Sequence, residues 1–250
     1  VFQKTGSMML DSCRFVKEYF KEQYSIADAI ILLGSDFTKK TYGNIKNKIF
    51  TINTFFNPIL STLKNNEPID EGVKKSFLYF TSNGAIHRGL DILLEFFGQN
   101  EQYNLYISSK LDKEKEFLSF YSSKLSKKNI HYLGYNSIFS KDFKKLVNSC
   151  AFSILPSSSE GQSTSITNLS ACGLIPIITK ECGFNVDKNM ILIKNININE
   201  IESAILESQN LSIMQIKKRS REIKRIFFEN YSLAKFEYNI KKILEKNLSI

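Results

Sequence analysis

Tryptophan is absent from this chain of 250 residues, and only 2 histidines, 4 cysteines and 4 prolines occur. No run of about 18 apolar residues exists, so nothing reads as a membrane-crossing helix. The longest apolar stretch, Ala29 to Leu33, is strand-sized. The opening residues, VFQKTGSMML, lack the apolar core and cleavage site of a signal peptide. Cys13, Cys150, Cys172 and Cys182 show no C-x-x-C spacing, and His87 and His131 are the only imidazoles. A zinc site is therefore disfavoured, and reduced, buried thiols in a cytosolic compartment are the simpler expectation. No G-x-G-x-x-G occurs, which counts against a dinucleotide-dependent oxidoreductase. The chain starts at Val1 rather than methionine, and upstream sequence is expected.

What is present suits a globular protein with a sizeable core: 42% of residues are hydrophobic and 24% charged. The net charge is +9. Such a balance points to nucleic acid, an anionic membrane face or a phosphorylated ligand. Aromatic platforms or a known nucleic-acid module would be needed for the first, and neither is found. Much of the excess sits on Lys-rich helical stretches such as KKRSREIKR, residues 217–225, which read as a solvated face.

Residues 11–24 carry apolar positions at helical spacing. Ala29–Leu33 and Lys48–Phe56 read as strands around a short helix that begins at Ser35 or Asp36. Residues 61–75 are polar, with Pro68 and Gly72, and read as a linker. From Phe77 onward strands and helices alternate: strands at 77–82, 103–108, 129–135, 151–157, 175–179 and 190–194, with helices between and after them. Such alternation calls for a parallel sheet covered on both faces. Ligands of these sheets bind outside the carboxyl ends of the strands. The loops at 81–89, 108–111, 134–138 and 156–164 should therefore share one rim.

Two of those loops invite chemistry. The stretch YFTSNGAIHRGLDILLEFF, residues 79–97, runs from strand to helix through Gly84, His87, Arg88 and Gly89. The stretch ILPSSSEGQSTSITNLSACGLIPIIT, residues 154–179, runs from strand to helix through Glu160 and Gly161. A helix start offers unpaired N–H groups and a partial positive charge, which suit a diphosphate. Glu160 repels phosphate but could accept hydrogen bonds from sugar hydroxyls. The plainer alternative is that Ser159 or Ser163 caps a helix while Glu160 is solvated. His87 is expected to meet solvent, and His131 to be a core or rim residue.

The second stretch resembles the donor-domain motif P-S-x-x-E-G-x-G-x-x-x-x-E-A-M-A-x-G-x-P-V-I of the retaining, GT-B-fold glycosyltransferases of family four. It carries Pro156, Ser157, Glu160, Gly161, Ala171 and Gly173, then Pro176 and Ile177. The first stretch is similar to the same family's K-G-x-D-x-L, through Arg88, Gly89, Leu90, Asp91 and Leu93. The resemblance runs from about residue 25 to 230. It implies an α/β fold, a doubly wound parallel sheet forming a Rossmann-like GT-B donor domain, preceded by a partial N-terminal domain.

By that resemblance residues 1–60 are a remnant of the acceptor-side domain, 61–75 a linker, 76–230 the donor-binding domain, and 231–250 a helix crossing back. Glu160 would contact the donor sugar, and Arg88, in place of the family's lysine, would neutralise the diphosphate. These two are the catalytic candidates. The donor-binding candidates are Ser82, Asn83, Gly84, Tyr135, Gly161, Gln162, Ser163, Thr164 and Asn168, with Asn136 beside Tyr135 in the loop near the nucleobase. Two departures matter. Asn168 replaces the glutamate that holds the ribose in the family, and Ser82 and Asn83 stand where an arginine is common. No cofactor or metal is expected, because Arg88 and helix amides would stand in for a cation.

The implied function is sugar transfer from a nucleotide diphosphate to a cell-surface polysaccharide or lipid-linked acceptor, in the cytoplasm of a bacterium, with peripheral contact to an anionic membrane and no nucleic acid. The competing reading is a non-catalytic nucleotide-sugar-binding module, or a truncated, inactive enzyme.

Overall fold

The computed structural model describes residues 26–43, 48–63 and 69–247, together with Met9 and Tyr24. The helix expected over residues 11–24 falls outside them, Tyr24 apart.

A small front unit comprises β1 (Ile30–Leu33), α1 (Asp36–Lys40) and β2 (Ile49–Ile52). The two strands pair in parallel, Ile30 opposite Ile49 and Leu33 opposite Ile52. A 3₁₀ turn at Pro58–Thr62, its Ile59 amide met by the Asn57 side chain, and the short α2 (Glu71–Lys74) lead into the larger unit. The stretch read as a linker is thus partly regular. Leu60 is fully buried, and Leu63, Ile69 and Val73 pack against the core.

The larger unit alternates strand and helix from Ser76 to Thr179, then adds a last strand and three helices. In chain order it holds β3 (Ser76–Phe80), α3 (Leu90–Phe97), β4 (Asn104–Ser108), α4 (Lys115–Leu125), β5 (Ile130–Tyr132), α5 (Lys141–Ser149), β6 (Phe152–Leu155), α6 (Thr164–Ala171), β7 (Ile175–Thr179), β8 (Ile191–Ile193), α7 (Ile198–Gln209), α8 (Ile213–Asn230) and α9 (Leu233–Asn247). The sheet is parallel with strand order β5-β4-β3-β6-β7-β8. This is the doubly wound α/β architecture expected from the alternation.

The burial pattern explains why these segments are strands. Every residue of β3, β6 and β7 is buried, as apolar strands covered by helices on both faces must be. Phe77 of β3 stacks on Phe152 of β6 with ring centroids 5.4 Å apart, and meets Phe97 of α3 edge-on at 5.5 Å. Helix α5 starts where Ser140 accepts the Phe143 amide, and α7 where Asn197 accepts that of Glu200.

The last helices tie the two units together. The Phe56 amide donates to the Tyr231 carbonyl at 3.0 Å, and Phe55 and Phe56 pack on Phe236 and Phe228. Helix α9 lies against β2. Among the described residues no helix is long and apolar enough to cross a membrane.

The thiols of Cys150, Cys172 and Cys182 are buried. Burial pushes the thiols of Cys172 and Cys182 up to about 12 and that of Cys150 well above the usual range. A raised folded-state pKa stabilises below the unfolded value near 9, and that contribution is lost as pH rises toward the folded value. These three thiols should therefore resist an aromatic disulfide reagent at pH 8 until denaturant is added. The denaturant midpoint should fall as pH rises above 9; fast labelling of all three in the native chain would contradict the buried assignment.

Candidate functional site

Strand order reverses between β3 and β6. Chains leave these neighbours to opposite sides, and a crevice opens beyond their carboxyl ends. The loops that follow, residues 81–89 and 156–163, flank it.

The first loop is stapled from several sides. The Thr81 amide donates to the Ser108 carbonyl, and Lys110 N and Ser109 Oγ both donate to the Ser82 carbonyl. Further along the rim the Ser109 amide donates to the Gly134 carbonyl, and the Asn136 amide to Ser108 Oγ at 3.0 Å. On the other side the amide and hydroxyl of Ser158 donate to the His87 carbonyl. The four loops expected to share a rim are thus hydrogen-bonded to one another. Gly84 takes φ +87°, and the His87 ring occupies the space a side chain there would need. His87 is packed into the loop rather than turned to solvent, and its ring nitrogens are buried.

The centre of the crevice is an ion pair. Arg88 Nε donates to Glu160 Oε1 at 2.8 Å, with the two side chains 13% and 10% exposed. Arg88 Nη1 donates to the Asn83 carbonyl at 2.7 Å and to Ser82 Oγ at 3.2 Å. The two catalytic candidates, 72 positions apart, therefore meet, and Ser82, Asn83 and Gly84 lie with them. The solvated alternative for Glu160 is overturned: its carboxylate is largely covered and charge-paired.

The start of α6 is less open than the resemblance implies. Ser163 occupies the cap position, but its amide donates to the Cys182 carbonyl at 3.0 Å and so is not available to a ligand. The amides of Gly161, Gln162 and Thr164 take no partner among the described residues. Gly161 and Thr164 are exposed at this rim.

Gln162 and Asn168 face elsewhere. The Gln162 side chain accepts the Thr54 amide at 2.5 Å and donates to Asn53 Oδ1 and the Gly183 carbonyl. Asn168 Oδ1 accepts the Asn57 amide at 2.8 Å. Thr38 Oγ1 adds a donor to the Gly161 carbonyl at 3.2 Å. The Glu160–Asn168 stretch is thus fastened to the front unit by side chains that the sequence reading assigned to the donor.

Tyr135, half exposed, stands farther along the rim with Lys110 Nζ 4.5 Å from its ring centroid. His131 lies in β5, stacked on Tyr106 at 4.6 Å, and burial lowers its pKa, as befits a rim residue of the sheet.

One residue was missed altogether. Glu114, 1% exposed, accepts the amides of Gly84 at 2.6 Å and Ala85 at 2.9 Å through separate oxygens. In the sequence it sits in DKEKEF, which looks like a solvated helix start. Nothing short of its burial distinguishes it.

The loop after β7 closes the site from below. Gly183 has φ +81°, and a Cβ there would lie 1.9 Å from the Gly161 carbonyl oxygen. Gly183→Ala should cost about 2–4 kcal/mol, combining left-handed strain with backbone overlap. In thermal melts that corresponds to a drop of roughly 5–15 °C; an unchanged melting temperature would show that the 160–163 loop can move aside.

Comparison with known proteins places this geometry. Residues 62–221 match the family model for glycosyl transferases group 1. A search of curated proteins returns no match. Among solved structures, a glycosyltransferase from Rickettsia africae ESF-5 superposes with a TM-score of 0.73 at 15% identity, covering 94% of this chain and 68% of that one. HepE of Anabaena, in complex with UDP and glucose, gives 0.70 at 14% identity, covering 89% of this chain and 64% of that one. The sucrose-phosphate synthase of Thermosynechococcus elongatus gives 0.67 at 12%, covering 97% and 66%. The chain therefore spans about two thirds of these neighbours' length, and the shared fold is GT-B. With a match over more than half its length, this chain belongs to the glycosyl transferases group 1 family.

Proposed function

We propose that this chain is the donor-binding part of a retaining glycosyltransferase of family four, moving a hexosyl group from a nucleoside diphosphate to a saccharide or lipid-linked acceptor. The observation that carries the reading is the meeting of Arg88 and Glu160 at the switch point, beside the open amides at the start of α6. A cation and helix-start amides suit a diphosphate, and a carboxylate suits sugar hydroxyls. HepE was crystallised with UDP-glucose, which supports a nucleotide sugar as the ligand class.

On this reading the donor lies across the carboxyl ends of β3 and β6. Arg88 turns toward the diphosphate and holds charge that grows on the leaving phosphate. Glu160, released from the guanidinium, accepts from sugar hydroxyls. The rim at Tyr135 and Asn136 meets the nucleobase. Ser82 and Asn83 orient Arg88 rather than bind phosphate in place of an arginine. No metal takes part, and the +9 charge supports work at the cytoplasmic face of an anionic membrane. A second reading, a nucleotide-sugar-binding module without transfer, is favoured by the Asn168 carbonyl being spent on Asn57.

Calorimetry with UDP, dTDP and GDP tests the donor site. Arg88→Ala should weaken whichever binds by about 1.5–3 kcal/mol, the scale of a charge-assisted hydrogen bond. Glu160→Gln should leave plain nucleoside diphosphate binding equal to or tighter than the parent's, because it frees the arginine. Loss of that binding with the fold intact would move Glu160 out of the sugar-facing role. Radiolabelled transfer, by this chain and by an upstream-extended version, separates the two readings. Turnover by the extended version alone, reduced by Glu160→Gln, supports the enzyme; no turnover by either supports the module.

A further inference from the structure

We propose that Glu114 is a positioning residue for the donor's diphosphate, acting through the Ser82–Gly89 loop and Arg88; the inference rests on the donor-site reading above. Glu114 follows the 3₁₀ turn Leu111–Lys113 and opens α4, on the far side of the loop from Glu160. Burying a carboxylate is costly unless its oxygens are satisfied. Here the compensation comes from two successive backbone amides, Gly84 N at 2.6 Å and Ala85 N at 2.9 Å, and no basic side chain pairs with it among the described residues. Two consecutive N–H groups aimed at one anion form a nest. The nest that a donor phosphate could have used is thus occupied by the chain's own carboxylate.

That occupancy has a mechanical consequence. The residues whose N–H groups are held by Glu114 have carbonyls that are held as well. Gly84 O accepts the Arg88 amide at 3.1 Å, and Ala85 O accepts the Leu90 amide at 2.8 Å. Asn83 O accepts Arg88 Nη1 at 2.7 Å. Turning the 84–85 peptide would therefore shift the backbone that carries Arg88, and turning the 83–84 peptide would shift its guanidinium. Glu114 fixes these peptides from below, so that the loop presents its guanidinium, and not its amides, to the crevice.

The sign of one substitution separates this role from a simple charge effect. Glu114→Gln removes a negative charge near the diphosphate site, which by Coulomb attraction alone would tighten binding. It also sets an NH₂ group against one of two N–H groups, which loosens the loop. Calorimetry with UDP, dTDP and GDP on the parent, Glu114→Gln, Glu114→Asp, Arg88→Ala and the Glu114→Gln/Arg88→Ala pair reads the outcome, with melting curves to verify folding.

Positioning through Arg88 predicts roughly 10-fold weaker binding for Glu114→Gln, the scale of a lost charge-assisted bond. In the Arg88→Ala background the same substitution should change affinity by less than about 2-fold, because its effect has no route left. Glu114→Asp, reaching one amide, should fall between parent and Glu114→Gln, and serves as the reading if Glu114→Gln does not fold. Equal or tighter binding by the folded Glu114 variants, or fully additive losses in the pair, would overturn the role of Glu114 while leaving the donor site standing. A parent chain that binds none of the three nucleotides would overturn the donor reading and this inference with it.

Discussion

The ion pair of Arg88 and Glu160 spans the place where strand order reverses, and the rim is organised around it. Both side chains are largely covered, so each charge depends on the other for solvation it no longer receives from water. The two loops come from β3 and β6, neighbours in the sheet, and the sheet sets their separation. Phe77 stacked on Phe152 keeps those strands in register one layer below. A pair of this kind is weak evidence for stability, since burying both charges costs about as much as their attraction returns. Its placement, at the mouth of the crevice rather than in the core, is what needs explaining. In the free chain the pair keeps two opposite charges from standing unpaired in a partly dry cleft, and it holds the flanking loops at a fixed distance.

The front unit is attached to this same region and not to a remote face. Thr38, Asn53, Thr54 and Asn57 reach Gly161, Gln162 and Asn168 through hydrogen bonds of 2.5–3.2 Å. Helices α8 and α9 hold the other side, through Phe228, Tyr231 and Phe236. Movement of the front unit would therefore be felt first by the Glu160–Asn168 stretch. The position of the front unit is thereby coupled to the geometry of the loop carrying the carboxylate.

The sheet was readable from the chain because its signals are local. Apolar strands of three to five residues between amphipathic helices leave few other arrangements, and observed boundaries differ from the expected ones by a few residues at most. Arg88 and Glu160 were readable because each stands in a motif with glycines at fixed offsets. The partners of Gln162 and Asn168 were not, since they depend on where residues 53–57 lie in space, and no spacing reports that. Glu114 was hidden for a different reason: in DKEKEF it is one charge among several, and only tertiary packing separates the buried carboxylate from its solvated neighbours. The polar stretch at 61–75 misled in the opposite sense, because Leu63, Ile69 and Val73 are too far apart to register as a pattern yet still cover the core.

Arginine at position 88, where the resembled pattern has lysine, follows from the contacts it makes. Its planar group sends Nε to Glu160 and Nη1 to both Ser82 and Asn83, three bonds in fixed directions from one side chain. A lysine ammonium is a single point on a flexible stem and could not hold the carboxylate and the Asn83 carbonyl at these distances while also reaching into the crevice. Nη2, with two further N–H groups, takes no partner among the described residues. The arginine can thus brace its own loop with one edge while keeping donors for an incoming anion. On the donor-site reading proposed above, in a loop whose neighbouring amides are taken by Glu114 and which lacks a second arginine, one side chain supplies both a structural edge and a ligand-facing edge.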